Sequence, residues 1–78
     1  MWIKDTYGMN KFTVEGNIVR DTYNNIVYYI EGNTIYDPNH FTQYYIEGNK
    51  IYDTNHNIVF YLDDDTVRDA YNNTIYRF

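Results

Sequence analysis

At 78 residues the chain is a single small domain, too short to bury more than about 60–65% of its unfolded surface. It contains no cysteine and no serine, which removes disulfide staples, thiolate metal ligation and serine-nucleophile chemistry. A net charge of −5 gives the surface no general attraction for nucleic acid, and no apolar run approaches a membrane span or a signal-peptide core.

A sixteen-residue period governs the chain from Trp2 onward. The units are 2–17, 18–33, 34–49, 50–65 and the truncated 66–78. Each divides into two eights, a short apolar-rich run followed by turn residues, so ten short strands joined by nine tight turns are predicted. No segment holds a 3.6-residue apolar period, which excludes helix.

The first turn of each unit opens on an aspartate: Asp5, Asp21, Asp37, Asp53 and Asp69. Three residues on stand Gly8, Asn24, His40, His56 and Asn72, types that tolerate positive φ. Pro38 fits the first central position of such a turn. The second turn carries Glu15-Gly16-Asn17, Glu31-Gly32-Asn33 and Glu47-Gly48-Asn49, suited to a two-residue I′ or II′ hairpin loop. Asp63-Asp64-Asp65 replaces it in the fourth unit and predicts a strained or mobile loop.

These turns assign faces. A two-residue loop pairs Val14 with Val19, Ile30 with Ile35, Ile46 with Ile51 and Leu62 with Val67. A four-residue loop at the Asp turn pairs Ile35 with Tyr44 and Ile51 with Phe60. A three-residue bulged loop would reverse that parity. The resulting inner face carries Ile3, Phe12, Val14, Val19, Tyr28, Ile30, Ile35, Tyr44, Ile46, Ile51, Phe60, Leu62, Val67, Tyr76 and Phe78, every one apolar or aromatic. The outer face carries Lys4, Lys11, Arg20, Arg68 and Arg77 towards the ends of the chain. In the middle it carries Tyr29, Tyr36, Tyr45, Tyr52 and Tyr61, with Val27, Gln43 and Val59.

An open ten-stranded meander would leave one apolar face and two edges bare. Closure into a five-hairpin barrel removes both, and the expected fold is all-β, closed, with Phe78 beside Ile3 and Arg77 beside Lys4. The last pair opposes like charges and argues mildly against closure.

The runs Ile35 to Asn49 and Ile51 to Leu62 resemble the tandem β-hairpin repeats of bacterial β-flower proteins. That resemblance implies hairpins set like petals around a hydrophobic centre, and association with lipid for some members. It implies a bacterial protein of the cytoplasm or the membrane periphery. A looser similarity, to the YD repeats of toxin shells and to choline-type cell-wall repeats, involves longer periods.

Two surfaces are candidates for binding. The centre, with Phe12, Tyr28, Tyr44, Phe60, Tyr76, Ile30, Ile46 and Leu62, would hold a lipid or another apolar ligand unless its bulky rings plug it. The outer tyrosines Tyr29, Tyr36, Tyr45, Tyr52 and Tyr61 suit self-association or carbohydrate stacking. The turn aspartates are expected to serve their own turns, and His40 and His56 to serve as positive-φ residues, so no metal site and no cofactor are expected. Near-identical units give no carboxylate a unique neighbour, so no catalytic residue is assigned and the expected protein is not an enzyme. The expected role is a small binding or structural module, with carbohydrate recognition or pure self-assembly as alternatives.

Overall fold

The computed structural model describes every residue from Met1 to Phe78. The strands are β1 (Trp2–Lys4), β2 (Asn10–Glu15), β3 (Ile18–Asp21), β4 (Ile26–Glu31), β5 (Thr34–Tyr36), β6 (Thr42–Glu47), β7 (Lys50–Tyr52), β8 (Ile58–Leu62), β9 (Thr66–Asp69) and β10 (Thr74–Arg77). Each pairs antiparallel with its sequence neighbour, and β1 pairs with β10, so the sheet closes. The strands are only three to six residues long, and the molecule measures 30 × 29 × 16 Å, a squat ring.

The Gly-Asn hairpins follow the expected register: Val14 opposes Val19, Ile30 opposes Ile35, and Ile46 opposes Ile51. Gly16, Gly32 and Gly48 take φ near +60° while the following asparagines do not, which makes these loops type II′. The fourth loop differs. Asp64 stands where glycine does elsewhere and keeps φ negative, so the left-handed strain is avoided. The Asp63 amide donates to the Thr66 carbonyl at 2.9 Å, and the Thr66 hydroxyl donates to Asp63 Oδ2 at 3.3 Å. Arg68 Nε lies 3.1 Å from the same oxygen. The expected strained loop is therefore one tied down by a carboxylate.

The Asp turns correct the four-residue expectation. In each, the Asp amide donates to the carbonyl four residues on, and the amide three residues on donates back to the Asp carbonyl. That encloses a three-residue loop, ending in a left-handed residue: Gly8, Asn24, His40, His56 and Asn72 have φ between +67° and +83°. Such a loop alone would turn the inner face outward. A second irregularity follows at once. Tyr36 opposes Thr42 but Ile35 opposes Tyr44, leaving Gln43 as an extra residue. Lys11, Val27, Val59 and Ile75 are skipped in the same way in the other units. The loop removes one residue from the register and the bulge restores it, so the inner face survives unchanged.

Inside the ring, three five-membered layers stack, one side chain per unit in each. Ile3, Val19, Ile35, Ile51 and Val67 form a β-branched layer. Phe12, Tyr28, Tyr44, Phe60 and Tyr76 form an aromatic one, and Val14, Ile30, Ile46, Leu62 and Phe78 form the third. Only Val19 and Val67 among them are buried, each 7% exposed. Ten strands enclose more space than eight, whose side chains just fill the interior, and these layers do not meet at the axis.

Candidate functional site: an apolar cavity inside a divided wall

The three layers leave a cavity of about 340 Å³. All fifteen residues of the predicted inner face line it, joined by Met1, which reaches in because its carbonyl accepts from the Val14 amide at 2.8 Å. No polar or charged residue type other than tyrosine contributes to the lining. Of the two alternatives left by the sequence, an open centre or one plugged by bulky rings, the structure has the open one. The aromatic rings stand around the circumference and touch their neighbours edge to face. Centroids are 5.9 Å apart for Phe12–Tyr76, 6.1 Å for Tyr28–Tyr44 and 5.9 Å for Tyr44–Phe60. Ring quadrupoles favour that geometry over a filled stack, so the aromatics brace one another sideways.

The phenol oxygens are not stranded, since no buried side-chain nitrogen or oxygen lacks a hydrogen-bond partner. Burial pushes the Tyr28 phenol above its ordinary value of 10.0, and the nearby phenols of Tyr44 and Tyr76 push the same way. At neutral pH the Tyr28 phenol is therefore uncharged. The chamber can accept hydrocarbon but offers a charged group nothing.

The outer wall divides into two sectors. Tyr29, Tyr36, Tyr45, Tyr52 and Tyr61 lie on the five adjacent strands β4 to β8, with Tyr29 opposite Tyr36 and Tyr45 opposite Tyr52 as expected. Of the five only Tyr45 is exposed, at 40%. Part of the cover comes from contacts the sequence reading missed. His40 stacks on Tyr36 with centroids 4.2 Å apart, and His56 stacks on Tyr52 at 4.6 Å, both nearly parallel. The signal was present: the left-handed turn residue is His only where the residue four before it is Tyr. Where that residue is Arg, the turn residue is Asn, and Arg20 and Arg68 reach Asn24 and Asn72 instead.

Tyr7, Tyr23 and Tyr71 are the most exposed aromatics, at 85–89%, and no site was assigned to them from sequence. They occupy the equivalent loop position of units one, two and five, which closure makes neighbours. Each turn aspartate holds its own loop: Oδ1 of Asp5 accepts from the amides of Tyr7 and Met9 at 2.9 and 3.0 Å, and the other four repeat this. No three acidic or histidine side chains come together in a way that could hold a metal ion. No helix of the chain is long and apolar enough to cross a membrane.

A polar groove of about 320 Å³ lies outside the barrel beside the fourth loop, lined by Asn49, Tyr61, Asp63, Arg68, Ala70 and Asn72. No protein-family model, no curated protein and no solved structure matches the chain.

Proposed function

We propose that this protein is a non-enzymatic binding module that holds a single hydrocarbon chain, such as the tail of a lipid, in the centre of its barrel. The observation that carries the reading is the cavity of about 340 Å³ lined by sixteen apolar and aromatic residues. Its size lies at the lower end of the roughly 300–1,000 Å³ typical of small-molecule pockets. A methylene occupies about the volume of a water molecule in the liquid, roughly 30 Å³, so about ten carbons fill it. Burial is worth about 0.8 kcal/mol per methylene, from which the cost of association is subtracted, so the expected affinity lies between about millimolar and micromolar. The resemblance of the repeats to β-flower hairpins supports the reading, because those proteins also gather hairpins around an apolar centre.

The test is titration with decanoate and with decanol, read by calorimetry on delipidated protein. Both should bind, and Ile46→Trp, which puts bulk into the chamber, should weaken binding at least tenfold. Tyr45→Ala, on the outer wall, should leave it unchanged. Equal binding by the Ile46 variant would remove the centre as the site.

Carbohydrate recognition is the second reading, supported by the outer groove, where Tyr61 offers a stacking face beside Asn49, Asn72 and Asp63. A glycan array that lights up for the parent and not for Tyr61→Ala would favour it over the first.

A further inference from the structure

Four of the five seams where one hairpin unit meets the next are bridged by a turn. On their outer faces, one step beyond the pair that flanks each turn, stand Thr13–Arg20, Tyr29–Tyr36, Tyr45–Tyr52 and Tyr61–Arg68. The fifth seam, β1 against β10, has no turn and is held by the single residue pair Lys4–Arg77. Directly opposed side chains of a sheet start about 4.5–5.5 Å apart, and like charges there repel. So the one seam without a covalent bridge is also the one that sets two cations face to face.

Nothing in the fold neutralises them. The ion pairs of the molecule are Lys11–Asp5 and Arg68–Asp63, and neither Lys4 nor Arg77 has a carboxylate within 4 Å. Five of the six basic residues lie on the adjacent strands β9, β10, β1, β2 and β3, in a chain whose net charge is −5. Trp2 shares the outer face of β1 with Lys4 and is 48% exposed, beside the seam.

We infer that Lys4 and Arg77 form an oxyanion site, and that a phosphate group bridging them clasps the barrel shut. An ammonium and a guanidinium at cross-strand distance suit a tetrahedral anion, the guanidinium donating in its fixed fork and the lysine acting as a mobile point charge. The anion turns a repulsive pair into two attractive ones, so it binds the closed ring better than an opened one.

Inorganic phosphate is the first probe, with sodium chloride at matched ionic strength as reference. At tenfold excess over the dissociation constant, phosphate should raise the melting temperature by about 5–10 °C, and Trp2 fluorescence should report the same saturation curve. Lys4→Glu makes the seam self-complementary. It should melt higher than the parent in chloride and gain nothing from phosphate. Arg77→Gln, should the charge reversal fail to fold, should likewise lose the phosphate shift, whereas Lys50→Gln, on β7, should keep it. Phosphatidylglycerol vesicles separate the sources. A Lys4-dependent change of Trp2 emission with vesicles but not with free phosphate assigns the anion to a lipid headgroup. An identical phosphate shift in all variants, or a Trp2 signal from neither probe, would overturn the site.

Discussion

At the scale of single residues, aspartate does the most. One side-chain oxygen closes each of five loops by accepting two backbone amides, and the second oxygen is used according to the neighbours. It takes Lys11 at Asp5, Gln43 at Asp37, and the carboxamides of Asn25 and Asn73 at Asp21 and Asp69. The Asn25 amide holds the Asp21 carboxyl below its ordinary 3.8, opposed by desolvation and helped by the Tyr23 amide and the Asn25 side chain. Asp69 is held down in the same way by Asn73 and Tyr71. A carboxyl with a lower pKa folded than unfolded stabilises the fold in its ionised form. That contribution is intact above the ordinary value and is lost as pH falls through the depressed one. Urea denaturation between about pH 2 and pH 5 should show stability falling with acid, and the double variant Asp21→Asn, Asp69→Asn should flatten that slope. A slope unchanged by the two substitutions would place the acid sensitivity elsewhere.

At the scale of elements, the unit is a hairpin with two compensating defects. A loop one residue short is followed by a strand one residue long, and the sum keeps the apolar side chains inward. This explains what the sequence could and could not tell. The inner face was legible in full, because alternation and turn spacing depend only on the net count. The bulges at Lys11, Val27, Gln43, Val59 and Ile75 were not, because Lys, Val, Gln and Ile carry no turn chemistry of their own. The left-handed residues were legible from type alone, but the stacking of His40 on Tyr36 needed the turn to bring them together. His40→Ala should lower stability by about 1–2 kcal/mol, since alanine gains nothing from the left-handed region and leaves Tyr36 uncovered. His40→Gly should cost less than half as much, because glycine accepts the backbone and only the stack is lost. Equal costs in chemical denaturation would mean that the backbone contributes nothing there.

For the whole molecule, closure is decided by edges and interior together. Two bare strands and an apolar sheet face disappear in one step. What closure leaves behind depends on the radius of the ring, and radius is not encoded at any one position. That is why the open centre was less legible than its lining. The near fivefold repetition also means that the β1–β10 seam differs from the others in backbone only by lacking a loop. Met1 already plays the part of the second loop residue, its carbonyl accepting from Val14 as that of Asn17 accepts from Ile30. A permutant with Glu-Gly inserted between Phe78 and Met1, and opened between Gly32 and Asn33, should fold to the same barrel. Circular dichroism and the same edge-to-face aromatic contacts in its NMR spectra would identify it.

The pairing of one descending with one ascending strand in every unit has a bearing on how such a ring can change size. Adding or deleting a whole unit leaves the strands at the closing edge antiparallel, whereas half a unit would bring two parallel edges together. Calibre therefore changes in steps of one hairpin, and a six-unit relative would have a wider bore while every loop and bulge stayed as it is here.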